Sequence, residues 1–255
     1  MATKIPYIGT SWKMNKVRAE ARAFAETLRG SPVVTSERVQ PFIIPPFPYI
    51  AEVAGLLAGT RVKVGAQNMH WDDNGAWTGE VSPLMVKDCG ASLVEIGHSE
   101  RRTHFGETDE TVARKTAAAL RHGLTALVCI GDTRAEYDAG QTAAALERQT
   151  RALLSQVGRS APGKVWIAYE PVWSIGVGGV PADPDFANDQ HIRIKALVRE
   201  ITGSDLPVLY GGSVNPQNGR DLAARSAIDG LFIGRSAWDA AGYIGIVEQV
   251  IAALA

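Results

Sequence analysis

Cysteine is nearly absent: Cys89 and Cys129 are the only two among 255 residues. That excludes a disulfide framework and suits a reducing cytosol. An imbalance of charge is also missing. Lys and Arg total 26 against 27 Asp and Glu, the formal net charge is -1, and there is no long basic block. A nucleic-acid or membrane-surface partner is therefore not expected. No apolar run reaches membrane-spanning length, and the start of the chain lacks the apolar region of a signal peptide, so a cytoplasmic protein is expected. There is no Walker loop, no G-x-S-x-G elbow, and no G-x-G-x-x-G after the first strand-like run. His70, His104, His122 and His191 form no metal-ligand spacing with the cysteines, so no metal is expected. Cys129 falls inside a strand-like run, where a buried, inert thiol is the expectation.

What the chain does have is alternation. Hydrophobic residues make up 45% of it, enough for a large core. Short apolar runs recur at Tyr7–Gly9, Phe42–Ile44, Val62–Val64, Leu93–Ile96, Leu127–Ile130, Val165–Ala168, Val208–Tyr210 and Leu231–Ile233. Helix-compatible sequence separates them. Val17, Ala21, Phe24, Ala25 and Leu28 share one helical face, as do Ile244, Val247, Ile251 and Leu254. Several strands are apolar throughout, as in a parallel sheet covered on both faces. Gly and Pro are spread evenly, and no linker divides the chain. Eight βα units in one stretch predict a single α/β domain over 1–255, a closed (β/α)8 barrel. A doubly wound open sheet is the alternative, but it lacks its glycine fingerprint.

In such a barrel, chemistry sits at the carboxyl ends of the strands. The first strand there runs into Ser11, Trp12 and Lys13, and the fourth into Gly97, His98, Ser99 and Glu100. The sixth ends in Glu170, followed by the stiff Pro171-Val172-Trp173 and a glycine-rich segment through Gly176 and Gly179. A lone carboxylate where a buried strand emerges suits a general base, and the segment after it suits a lid. A helix amino terminus disfavours imidazolium, so His98 would stay neutral and donate a hydrogen bond. Gly211-Gly212-Ser213 and Gly234-Arg235-Ser236 supply tight turns where backbone N–H groups can surround an anion. Each signal has a plainer reading: a solvated Lys, a capping His, a surface Glu, an ordinary glycine turn. Their joint placement favours a site.

Four motifs in order, Ser11-Trp12-Lys13-Met14-Asn15, Ile96 to Arg102, Tyr169-Glu170-Pro171-Val172-Trp173 and Tyr210-Gly211-Gly212-Ser213-Val214, resemble the signatures of the triosephosphate isomerase family. The resemblance covers nearly the whole chain and implies a TIM barrel without cofactor or metal. It implies Glu170 as the base, His98 as the electrophile polarising a carbonyl, and Lys13 as positive charge for the substrate, with Glu100 close behind. Gly176, Ser213 and Gly234 would offer backbone N–H groups to a phosphate, and Trp173 and Tyr210 would support the lid. The segment Gln67–Glu80 resembles an interdigitating loop with Thr78 near its tip, which implies a homodimer.

The chain also departs from that family. Ser11 stands where Asn is usual, Gly234-Arg235 where a glycine pair is usual, and Gly179-Val180-Pro181 where the lid normally closes with Lys-Thr-Ala. Arg235 either adds a charged fork to the phosphate or points away. Pro181 would stiffen the trailing hinge. These departures resemble the erythrulose-phosphate isomerase branch, which interconverts L-erythrulose 1-phosphate and D-erythrulose 4-phosphate in tetritol catabolism. The shorter Ser11 would leave room for the extra hydroxymethyl group. A glycolytic triosephosphate isomerase with a variant phosphate site is the second reading, and a non-catalytic phosphosugar-binding barrel the third.

Overall fold

Eight short runs of aliphatic and aromatic residues become eight strands: β1 (Tyr7–Ser11), β2 (Gln40–Ile44), β3 (Lys63–Ala66), β4 (Leu93–Ile96), β5 (Thr125–Ile130), β6 (Val165–Tyr169), β7 (Val208–Tyr210) and β8 (Gly230–Ile233). In the computed structural model they pair in parallel in sequence order, and β8 returns to β1 to close the barrel. Helices lie between the strands, from Arg18–Arg29 to Ala240–Ala253. The structure describes residues 5–176 and 178–254. Residues 1–4 of the amino-terminal stretch, Val177 of the glycine-rich segment and Ala255 lie outside them.

Side chains alternate between the two faces of each strand, and this alternation builds two cores. Phe42, Ile44, Leu93, Leu127, Cys129, Trp166, Ala168, Leu209 and Phe232 pack with one another inside the barrel. Phe42 stacks on Phe232 with ring centroids 5.8 Å apart and tilts against Trp166 at 5.6 Å. A buried Phe or Leu here contributes roughly 1.5–3 kcal/mol. The plug explains a glycine in β1. A Cβ on Gly9 would stand 2.3 Å from the Phe42 ring. The larger second core fills the shell between sheet and helices, with Ile8, Ile43, Val94, Val128, Ile167 and Val208 facing outward to it.

Three sequence expectations need correction. Val17 caps the first helix instead of joining its buried face. It is exposed, and its N–H donates to Glu20 Oε2 at 2.7 Å, while Ala21, Phe24, Ala25 and Leu28 are buried as expected. Val62 precedes β3, which begins at Lys63. The last helix is rotated from the expected face: Tyr243, Ile246, Val247 and Val250 are its buried residues, with Ile244, Ile251 and Leu254 at the margin. Its composition is apolar on several sides, so spacing alone did not fix the inward one. The Tyr243 hydroxyl does: it donates to the Ile8 carbonyl at 2.9 Å across the barrel wall.

Candidate active site

Strand parity carries selected residues to the mouth. In β1, Ser11 follows Gly9 on the inward face; in β4, Glu95 follows Leu93; beyond β6, Glu170 follows Ala168. Glu170 is only 2% exposed. Its Oε1 lies 3.3 Å from His98 Nε2, and its Oε2 accepts the Ser99 N–H at 3.3 Å. The strand-7 turn must be glycine for this to fit, because a Cβ on Gly211 would stand 2.9 Å from Glu170 Cγ.

His98 is held by the turn that starts the Ser99–His104 helix. Its Nδ1 accepts the Glu100 N–H at 3.1 Å. With Nδ1 used as an acceptor, Nε2 is the ring nitrogen left to carry a proton, and it lies 3.3 Å from Glu170 Oε1. Lys13 sits at φ 53, a left-handed conformation that a non-glycine residue rarely adopts. Its ammonium donates to Glu100 Oε1 at 2.7 Å. Burial raises the Glu100 carboxyl, but the Lys13 bond and charge outweigh it and hold it below the ordinary carboxylate range.

These groups open onto a cavity of about 420 Å³. Ser11, Lys13, His98, Glu100 and Glu170 line it, together with Gly176, Ser213, Gly234, Arg235 and Trp238. A second cavity of about 220 Å³ shares Ser11, Lys13, His98 and Glu100, then continues past Glu95, Asn68 and Gln67 to Met14, Phe47, Arg101 and Phe105. Trp238 donates its indole N–H to the Ser11 carbonyl at 3.0 Å, tying the β8 turn to the β1 end.

The glycine-rich segment is anchored at both ends. At its start the Trp173 indole donates to Asp132 Oδ2 at 3.2 Å, and its ring lies 4.3 Å from Tyr137. Asp132 is fully buried and also accepts from the Tyr169 hydroxyl at 3.0 Å and from Thr142 at 2.7 Å. Three donors on one carboxylate offset its burial. At the far end Ala182 is buried, and Asp183 caps the Pro184–Thr202 helix by accepting from Asp185 and Phe186. The Tyr210 hydroxyl lies beside Ser174 and the Ala182 backbone, short of a well-formed hydrogen bond. The Ser213 N–H donates to Ser174 Oγ at 3.0 Å, so an anion arriving there must displace that hydroxyl.

The sequence profile of the triosephosphate isomerase family matches residues 6–250. The chain belongs to the triosephosphate isomerase family. It is an isomerase by that membership. An L-erythrulose-1-phosphate isomerase of Mesorhizobium japonicum is 55% identical over 249 residues, covering 97% of this chain and 98% of that protein. One of the same name from Rhizobium meliloti is 54% identical, covering 97% and 98%. A third, from Brucella abortus, is 54% identical with 95% of each chain covered.

Every residue singled out around the mouth from sequence lines the larger cavity or touches a residue that does, except Thr78. It lies on an exposed loop held by Trp77 Nε1 donating to Asp72 at 3.1 Å and by a cluster in which the His70 ring tilts against Trp71 at 4.1 Å and against Trp77 at 4.6 Å. Three neighbours of the site were missed. Asp132 and Ser174 meet their partners across the fold and leave no local signal. Glu95 did leave one: a carboxylate at an inward position of an otherwise apolar strand. Cys129 is buried as expected, and burial with the nearby Glu170 charge pushes its thiol well up.

Proposed function

We propose that this isomerase interconverts L-erythrulose 1-phosphate and D-erythrulose 4-phosphate through an enediolate, within tetritol catabolism. The observation that carries the reading is the mouth itself. Glu170 and His98 face each other beside Lys13, and the space continues past them into a second compartment with room for a fourth carbon. The likeness to the L-erythrulose-1-phosphate isomerases supports the same substrate.

The proton balance is simple. Glu170 leaves the Ser99 N–H, takes the proton from C3 of L-erythrulose 1-phosphate and returns one to C2, while the hydroxyl proton passes from O3 to O2. C2 of the substrate becomes C3 of the product. The His98 Nε2–H donates to whichever oxygen carries the developing charge, and the Lys13 ammonium stabilises it electrostatically. Gly176, Ser213 and Gly234 would bind the phosphate through backbone N–H groups, with the Arg235 guanidinium beside them. Closure of the Trp173-anchored lid over the enediolate, with Tyr210 bonding to Ala182, would exclude water and prevent phosphate loss.

The same Lys13, His98 and Glu170 set also serves a triosephosphate isomerase, the second reading. Purified protein incubated with L-erythrulose 1-phosphate or with dihydroxyacetone phosphate, followed by proton NMR, separates them. The four-carbon reading expects efficient turnover of the tetrulose. Efficient turnover of the triose alone would overturn it.

Homodimer formation belongs to the same proposal. The outer end of the second cavity carries Met14 at 97% and Phe105 at 67% exposure, and the loop that bears Thr78 exposes Trp77 at 50%. A partner's Thr78 loop closing that end would bury all three, giving a particle near twice 27.2 kDa by light scattering.

A further inference from the structure

We infer that Glu95 is the residue that recognises the terminal hydroxymethyl group of the four-carbon ketose phosphate. This rests on the substrate class proposed above and names what selects it. Glu95 belongs to β4, where its inward neighbour Leu93 is part of the barrel plug. Two residues on, the same face reaches the mouth, and a carboxylate replaces the hydrocarbon. It is 2% exposed, yet it lines the smaller cavity.

His98 stands between two carboxyls. Its Nε2 is 3.3 Å from Glu170 Oε1 and 3.9 Å from Glu95 Oε1. Glu170 lines the larger cavity, whose far wall holds Ser213, Gly234 and Arg235. A substrate with its phosphate at that wall and its reacting carbons between Glu170 and His98 sends its remaining atoms toward Glu95. The Ser11 hydroxyl is within hydrogen-bonding reach of the Glu95 carboxyl. Glu95 Oε2 is buried with no hydrogen-bond partner among the described residues. A buried polar oxygen left unpaired is costly, and a ligand hydroxyl that fills it is selected over an analogue that lacks one. A three-carbon substrate ends before this oxygen; a four-carbon one carries the hydroxyl that satisfies it. Burial raises the Glu95 carboxyl to about 7, so near neutrality both its acid and its anion are present, and either accepts from an alcohol.

The test compares kcat/KM for L-erythrulose 1-phosphate with that for dihydroxyacetone phosphate in the wild type, Glu95→Gln and Glu95→Leu. The ratio for one preparation does not depend on the fraction folded, and the isosteric Gln variant preserves shape if the Leu variant folds poorly. Glu95→Leu should lower the four-to-three-carbon ratio at least tenfold, mainly through KM. Glu95→Gln, which keeps a hydrogen-bonding group, should recover part of the loss. A ratio within twofold of wild type in both variants, or a parallel fall in kcat for both substrates, would show that Glu95 only supports His98 and would overturn the inference. Wild-type protein that ignores L-erythrulose 1-phosphate would instead overturn the substrate reading and this inference with it.

Discussion

The two compartments of the mouth share Ser11, Lys13, His98 and Glu100 but are otherwise built differently. The larger one, about 420 Å³, is walled by backbone-rich turns at Gly212, Ser213 and Gly234, by Arg235, and by the anchored lid. Such a wall suits an anion, and Glu170 hangs over it. The smaller one, about 220 Å³, is walled by side chains, polar at its inner end with Asn68, Gln67 and Glu95 and apolar at its outer end with Met14, Phe47 and Phe105. On the function proposed above, the reaction would belong to the first compartment and the choice of substrate to the second. Proton transfer would need only the groups that face the first, and carbon-chain length would be read by what the second offers beyond His98.

The largest expected effect breaks the first compartment alone. Glu170→Gln should lower kcat by about 10³-fold or more for every substrate, since a positioned base contributes about 10²–10⁴-fold. It should also stop deuterium exchange into substrate. Exchange continuing at the wild-type rate would mean that another group is the base.

The next effect belongs to the second compartment and is read as stability. The folded Glu95 carboxyl lies at about 7 against 4.5 when unexposed to burial; desolvation is the main cause and Glu170 adds to it, opposed by His98, Ser11 and Lys13. Its folded value is raised, so between those limits the folded state binds more protons than the unfolded one. The penalty is therefore absent below pH 4.5, grows as pH rises, and is complete above about 7. The 2.5-unit span corresponds to roughly 3 kcal/mol as an upper figure. Glu95→Leu should abolish that slope, and denaturant titrations of both proteins from pH 5 to pH 8 measure it. Parallel pH profiles would place the carboxyl near its ordinary value.

The smallest effect sharpens the phosphate wall. Arg235→Leu should raise KM for phosphorylated substrates about tenfold, as expected for a charged hydrogen bond of about 1.5 kcal/mol, and leave the four-to-three-carbon ratio intact. A changed ratio would mean that Arg235 also reads the carbon chain.

Much of this was legible in the sequence. The alternation of apolar runs with amphipathic stretches marks eight strands, and the β-barrel's rule that chemistry sits at strand carboxyl ends leads to Lys13, His98 and Glu170. The misses have physical causes. Val17 obeys helical spacing but spends its N–H on Glu20, which makes it a cap. The final helix is apolar on more than one side, and its inward face is the one on which Tyr243 reaches the Ile8 carbonyl. Asp132 and Trp173 are 41 residues apart, and Ser174 and Ser213 are 39 apart, so neither pairing can be read locally. Glu95 was hidden for a different reason: β4 was read as one apolar run, whereas parity along it turns Leu93 and Glu95 to the same inward face. Arg235 is placed on the wall of the larger cavity, which sequence left open.

The most direct test of the division between reaction and selection is turnover in deuterium oxide. Wild-type protein is incubated with L-erythrulose 1-phosphate and, separately, with dihydroxyacetone phosphate, and the products are followed by proton NMR. Efficient conversion of the tetrulose, with deuterium entering C3 of D-erythrulose 4-phosphate, is the expected result. Rapid turnover of dihydroxyacetone phosphate with no deuterium entering the tetrulose would contradict it.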